Sequence, residues 1–312
     1  MAFLDRSALS QEQQAGYAGM IMKAVGGLYT VEAPNGVFHS CKARGIFRKD
    51  GVSPLVGDYV QLQFEGEEGL ITGIYERTSV LTRPPVANLD RLILVNASME
   101  PPPNLLVLDK LIAIAEHKGI EPIIVFTKTD LCVPEELIDL YREAGFRVIA
   151  VDNTTGQGVG ELRALLEGKL CAFCGNSGVG KSSVLNHLEE TLLLETAPIS
   201  RKLGRGRHTT RHVELYAVAG GLIADTPGFS ALDTERYEHI RREELMDCFR
   251  EFRPFEGECR FRDCAHLKEK GCAVLYAVEE GTIAPSRHRS YVQMMEEAAK
   301  ICEWERPGGN VQ

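Results

Sequence analysis

From Leu28 to Val80, apolar and polar residues alternate in short runs that Gly, Pro, Asn and Asp break apart. Leu28–Glu32, Val37–Cys41, Tyr59–Phe64 and Leu70–Ile74 read as strands. Pro34-Asn35-Gly36, Lys49-Asp50-Gly51 and Glu65-Gly66 supply the turns between them. Short strands at this spacing predict a small closed barrel of the oligonucleotide-binding (OB) type. Beyond Arg83-Pro84-Pro85 the rhythm changes. Arg91–Val95, Ile123–Phe126, Arg147–Val151 and Lys169–Cys174 are buried-type strands, whereas residues 104–118, Pro134–Ala144, Gly160–Leu166 and the stretch opening at Lys181 read as helices. Strands alternating with helices predict an α/β domain with a parallel, doubly wound sheet. Past about Asp233 the chain turns helical and charged. The expected divisions are a mobile N-terminal segment (1–24), a barrel (25–82), an α/β domain (83–232) and a small helical domain (233–312).

Composition narrows the class. The 312 residues are 44% hydrophobic and 25% charged, ordinary for a globular protein. No apolar run approaches the roughly 18 residues that span a bilayer, and the N-terminus lacks a signal-peptide core, so a cytoplasmic protein is expected. A formal charge of −9 argues against a general nucleic-acid binder and leaves only local basic patches for such contacts.

Gly175-Asn176-Ser177-Gly178-Val179-Gly180-Lys181-Ser182 fits GxxxxGK[ST] between a strand and a helix. Glycines let backbone N–H groups close on phosphate oxygens. Lys181 would reach the β- and γ-phosphates, and the Ser182 hydroxyl would bind Mg²⁺. The helix that follows adds a positive partial charge. Asp225-Thr226-Pro227-Gly228, after the apolar strand Gly221–Ala224, matches the DxxG element of GTPases. Asp225 would hold Mg²⁺ through water and the Gly228 N–H would sense the γ-phosphate. Between them the Gly-rich basic run 201–212 reads as a switch loop, with Thr209 or Thr210 closing on Mg²⁺.

Thr127-Lys128-Thr129-Asp130 follows an apolar strand and resembles the NKxD element. An Asp130 carboxylate accepting from N1–H and the 2-amino group of guanine would select against adenine, which lacks that donor pair. Lys128 would pack along the base. Thr127 stands where Asn is usual; its hydroxyl can either hold the loop or meet the purine edge. Asp152-Asn153 likewise replaces the usual Ser-Ala ahead of Thr155-Gly156. The order matters most: the guanine motif precedes the phosphate loop, and DxPG comes last. Loops at the carboxyl ends of one parallel sheet permit this rearrangement, a circular permutation.

Nine cysteines are present. Cys259, Cys264, His266 and Cys272 spell Cys-x4-Cys-x-His-x5-Cys, the full donor set of a structural zinc site. Cys171 and Cys174 read as core or near-site residues, and Cys41, Cys132, Cys248 and Cys302 as packing residues.

These motifs, with Cys41-Lys42-Ala43-Arg44-Gly45, Leu55-Val56-Gly57-Asp58, the run from Arg83 to Asp90, Gly175 to Ser183 and Gly206 to Thr210, resemble the ribosome small subunit-dependent GTPase A family (RsgA, also YjeQ or EngC). The resemblance implies a GTP hydrolase that helps mature the small ribosomal subunit, binds its rRNA and leaves after hydrolysis. It implies GTP, Mg²⁺ and one Zn²⁺. A monomer without a membrane partner is expected. Phe229 stands where many GTPases carry a water-orienting Gln, which predicts slow intrinsic hydrolysis. His208 is a candidate substitute, with an RNA- or solvent-facing histidine as the alternative. Competing readings are an ATP-dependent enzyme, an RNA-binding module using GTP as a structural ligand, and a zinc-dependent nucleic-acid protein with a vestigial GTPase domain.

Overall fold

The structure, a computed structural model, describes residue 4 and residues 6–16, 18–49, 51–66, 68–193, 213–225 and 239–300. Five strands come first: β1 (Ala18–Val25), β2 (Leu28–Glu32), β3 (Phe38–Ala43), β4 (Tyr59–Glu65) and β5 (Glu68–Ile74). A short ribbon follows, β6 (Val80–Leu81) and β7 (Val86–Ala87). Next come β8 (Arg91–Ala97), β9 (Glu121–Thr127), β10 (Arg147–Ala150), β11 (Leu170–Cys174), β12 (Glu214–Val218) and β13 (Gly221–Asp225). The helices, in chain order, are α1 (Leu9–Gln14), α2 (Ile46–Lys49), α3 (Leu105–His117), α4 (Glu135–Glu143), α5 (Val159–Leu166), α6 (Lys181–Leu193), α7 (Arg242–Leu245), α8 (Ala273–Glu279) and α9 (Pro285–Ala299). Packing separates two compact units. The first takes Met1–Ile93, Gly158–Cys174 and Lys181–Ser230; the second takes Leu94–Gln157, Gly175–Gly180 and Ala231–Gln312.

In the first unit, β1 pairs with β2, β2 with β3, β3 with β5 and β5 with β4, and a β1–β4 pairing closes the five-stranded barrel. Ile21, Val31, Cys41, Val60, Leu62 and Ile71 fill its interior. Register shifts in β1 and β4 bend those strands, as closure requires. Closure also removes exposed strand edges. The sequence reading left residues 1–24 mobile, and here it is corrected. Ala18-Gly19-Met20-Ile21-Met22 has no polar alternation to mark a half-exposed strand, because Ala18, Gly19, Ile21 and Met22 are all buried in β1. The hairpin β12–β13 extends from the barrel through a β1–β12 pairing at Lys23↔Glu214, and β11 lies parallel to β13.

Two of the family-like motifs act as fasteners in this unit. Asp58 is fully buried, accepts from both Nε and Nη2 of Arg77 at 2.7 Å and also from the Leu55 N–H at 2.7 Å. Gly57 adopts φ +88°, and a Cβ there would overlap the Ala87 carbonyl. Asn88 accepts from the Thr78 N–H and donates to the Gly57 carbonyl, each at 2.9 Å. Asp90 then caps the start of β11, accepting from the Leu170 N–H at 2.8 Å. Asp58 and Asn88 are buried, so their hydrogen bonds are obligatory, and through them the linker is riveted to the barrel.

In the second unit β9 lies between β8 and β10, with β9 and β10 parallel. Helix α3 starts at an Asn104 cap and buries Leu108, Leu111, Ile112 and Ala115. The C-terminal helices pack on α3 around a buried charge cluster. Arg287 of α9 donates to Asp109 of α3 at 2.6 Å and to Glu251 at 2.6 Å, while Tyr141 of α4 donates to Asp109 at 2.8 Å. Burial alone would push Arg287 down; its two carboxylates overcome this and hold it above its ordinary value. Nearby, Arg250 pairs with Glu116 at 2.6 Å and Glu121 at 2.7 Å. Among the described residues no helix is long and apolar enough to cross a membrane.

Candidate nucleotide loops and metal centre

The two nucleotide motifs, reversed in chain order, touch each other in the second unit. Thr127 ends β9 fully buried, and its hydroxyl donates to the backbone carbonyl of Val179 in the phosphate loop. Gly180 has φ +93°, and a Cβ there would sit 2.5 Å from Asn153 Nδ2 and 3.2 Å from Thr127 Oγ1. A side chain at 180 would therefore be strained by its backbone and would push apart the loops that carry both motifs. Gly175 packs as closely against the Val95 carbonyl at the end of β8. Asn176, Ser177 and Gly178 are exposed, so their backbone can meet a ligand.

Beyond Thr127 the guanine loop turns sharply. Lys128 adopts φ +58°, and its ammonium donates to the Glu100 carbonyl. Ser98 braces the same turn, with Oγ donating to the Lys128 carbonyl at 2.9 Å and N–H to the Thr127 carbonyl at 2.9 Å. Thr129 is half-buried and Asp130 is exposed, its Oδ2 accepting from Thr154 Oγ1 at 3.4 Å. Asp152 accepts from the N–H groups of Thr154 and Thr155 at 2.7 and 3.0 Å, which shapes the neighbouring loop. An Asx turn of this kind is what Asp offers and the usual Ser offers more weakly. Sequence reasoning missed Ser98 and Glu100. A brace made through main-chain carbonyls leaves no residue-type signal.

In the first unit Lys181 opens α6 half-buried, with Ser182 exposed and Ser183 half-buried beside it. Burial pushes the Lys181 ammonium down from its ordinary value, with Cys174 opposing. A phosphate would restore it. An exposed hydroxyl in the first turn suits a hydrated Mg²⁺. Asp225 ends β13, but its side chain lies outside the described residues, as do His208, Thr209, Thr210, Gly228 and Phe229.

The four cluster residues converge. One donor atom from each of Cys259, Cys264, His266 and Cys272 lies within 4.8 Å of all the others. Cys259 and Cys272 sulfurs are 3.8 Å apart, and His266 Nδ1 lies 3.5 and 3.3 Å from them. Zn–S bonds of roughly 2.3 Å in a tetrahedron would place sulfurs about 3.8 Å apart, so the donor set fits zinc. Burial pushes the Cys264 thiol up to about 12, raises Cys272 and lowers His266. Burial thus works against the charged forms of these side chains, and metal binding must displace thiol protons. Backbone groups hold the cluster in place: Ala273 and Leu275 N–H groups donate to Cys259 and Cys272, and Glu269 gathers the N–H groups of Ala265, Leu267 and Lys268. His288 and Tyr291 of α9 bond to the carbonyls of His266 and Ala265, at 2.7 and 3.0 Å.

Of the remaining cysteines, Cys41, Cys171, Cys174 and Cys248 are buried as expected. Cys132 is exposed, which corrects its reading as a packing residue: it lies on the loop after Asp130, not inside an element. Cys302 lies outside the described residues.

Known proteins give the same reading. The family model for the RsgA GTPase matches residues 74–235, and that for the RsgA N-terminal domain matches residues 18–71. "Small ribosomal subunit biogenesis GTPase RsgA 2" of Oceanobacillus iheyensis is 45% identical over 286 residues, 89% of this chain and 96% of that protein. "Small ribosomal subunit biogenesis GTPase RsgA" of a Geobacillus species is 46% identical over 286 residues, with the same shares covered. The crystal structure of YloQ, a circularly permuted GTPase, superposes with a TM-score of 0.75 at 37% identity, covering 90% of this chain and 94% of that one. YjeQ from Thermotoga maritima superposes with a TM-score of 0.76 at 33% identity, covering 92% and 99%. With its closed barrel, its permuted motifs and its Cys3His cluster, the chain belongs to the RsgA family of circularly permuted GTPases.

Proposed function

We propose that this chain binds and hydrolyses GTP while assisting maturation of the small ribosomal subunit, and that contact with the subunit and its rRNA accelerates the reaction. The observation that carries the nucleotide reading is the Thr127 hydroxyl on the Val179 carbonyl, which seats the guanine loop on the phosphate loop. The relatives' names support the subunit as partner. Asp130 would read the base. Backbone N–H groups of residues 175–180, with Lys181, would hold the phosphates. Bound Mg²⁺ would neutralise charge developing on them. Ser182 and Asp225 are its proposed ligands, with Gly228 and Thr210 reporting the γ-phosphate. Cys259, Cys264, His266 and Cys272 would hold a structural zinc ion. The barrel, begun at Ala18 and not at 25, is proposed as an RNA-binding domain; the GTPase domain would run to about 232 and the zinc domain from there. His208 remains the proposed water-orienting residue, because Phe229 has no hydrogen-bonding group for the task.

Phosphate release from GTP, measured with small subunits, with large subunits and with neither, tests this reading. Stimulation by small subunits alone is the expected result, toward the factors of roughly 10³–10⁵ that activators give other GTPases. Equal rates in all three arms would refute the assigned partner.

A further inference from the structure

We infer that the exposed loop after Asp130, together with the loop that follows β8, is a docking surface for a positively charged protein segment carrying apolar side chains among its cations.

Both loops lie within the second unit. Met99 is 47% exposed, Leu131 60% and Val133 45%. The backbone beneath them is braced. The Lys128 carbonyl accepts from Ser98 Oγ at 2.9 Å and from the Leu131 N–H at 3.0 Å, so the two loops share one anchor. The Val133 carbonyl accepts from the Glu135 N–H at 3.0 Å, which ties the far end of the loop to the start of α4. Ordered backbone thus holds large apolar side chains out in water. Apolar residues exposed singly are ordinary, but a group of them on one braced surface marks an interaction site.

Charge selects the partner. Glu100, Glu135, Glu136 and Asp139 border the patch and are all exposed, and among the described residues none of their carboxylates pairs with a cation. The positive end of α4 accounts for Glu135 and Glu136, but not for Glu100 or Asp139. Lys128 is the only cation in the chain from 127 to 139, and its ammonium is turned to the Glu100 carbonyl. An RNA strand or an anionic lipid surface would press its phosphates against these carboxylates. A second copy of this chain, docking through the same patch, would set like charges against like. A cationic polypeptide meets both needs: its charges answer the rim, and its apolar side chains cover Met99, Leu131 and Val133.

Cys132 stands between Leu131 and Val133 and is exposed, so its alkylation reports occupancy of the patch itself. The full chain is treated with iodoacetamide in the presence of a fluorescent peptide repeating Arg-Arg-Leu, and modification of Cys132 is followed by mass. With the peptide at about ten times its dissociation constant, the reaction should slow about 10-fold. A peptide repeating Glu-Glu-Leu should give no protection, and one repeating Arg-Arg-Ser much less. Glu100→Lys with Asp139→Lys reverses two rim charges away from the helix end and should weaken Arg-Arg-Leu binding by roughly 2- to 30-fold. Absence of binding would overturn the inference. So would binding, seen by fluorescence anisotropy, that leaves Cys132 as reactive as before, because the peptide would then sit elsewhere. Equal protection by the Arg-Arg-Ser peptide or by an oligouridine would overturn it too. Protection that grows with protein concentration alone would assign the surface to a second copy instead.

Discussion

Replacing Arg287 by Met should sever the region that carries the Cys3His cluster from helix α3. Arg287 is 1% exposed and neutralises two carboxylates, Asp109 and Glu251, that are 1% and 5% exposed. Met fills much of the same volume but carries no charge. It leaves two buried anions with only the Tyr141 hydroxyl still donating to one of them. Removing one member of a buried pair costs about 3–5 kcal/mol, and two stranded carboxylates place this case toward the upper end, about 5 kcal/mol. Domains hold roughly 5–15 kcal/mol in total, so the loss is a third or more of the whole. With a urea slope of about 2 kcal/mol/M, the unfolding midpoint should fall by about 2.5 M. Hydrogen exchange should localise the damage: amides of α3 and α9 should lose protection together while those of the barrel keep theirs. The triple change Arg287→Met, Asp109→Asn and Glu251→Gln removes the stranded charges and should recover much of the loss. A single Met variant whose midpoint stays within about 0.3 M of the parent would refute the reasoning.

Stripping metal with a strong chelator should unfold the segment around Cys259–Cys272, which zinc stabilises by about 10–16 kcal/mol in comparable peptides; protease cleavage between 256 and 272, reversed by added zinc, is the measurement. Arg77→Met should make stability strongly pH-dependent. Burial already raises Asp58 and Arg77 opposes that rise, so without Arg77 the folded value climbs further. A raised folded value gives stability that is full below the unfolded value near 3.8 and lost as pH rises through the folded one. Thermal midpoints should therefore match the parent near pH 4 and fall behind by a deficit of about 3 kcal/mol at neutral pH. Iodoacetamide should label exposed Cys132 well before Cys41, Cys171 and Cys248, whose thiols burial pushes up to about 11, 12 and 12; peptide mass mapping over time would show the order.

Sequence alone located the elements that carry their own signal. Period-two runs mark β2 to β5, apolar runs mark β8 to β11, and the glycine spacing of 175–180 announces the phosphate loop. Strand β1 escaped because its apolar residues do not alternate: Ala18, Gly19, Ile21 and Met22 are all buried, so period two is lost. Strand β12 escaped because Glu214-Leu215-Tyr216-Ala217-Val218 follows a polar run and takes its identity from pairing with β13. The Cys3His cluster was legible from spacing, since four candidate ligands within one short stretch need no tertiary information. Arg287, Asp109 and Glu251 were not, because nothing local links positions 109, 251 and 287. Their pairing is a product of helix packing. Thr127 stood between these cases: its departure from Asn was visible, but the choice between two roles required knowing that the Val179 carbonyl lies beside it.

The pairing of β1 with β12 has a mechanical consequence. Among the described residues it shows one registered pair, Lys23 with Glu214, reinforced by an ion contact of 2.6 Å between partly exposed side chains. That hairpin stands in the chain between residues 201–212 and the Asp225-Thr226-Pro227-Gly228 motif. A pull on the barrel would load this narrow seam in shear and pass strain into β12 and β13. High ionic strength, by softening the Lys23–Glu214 contact, would slacken the same tether.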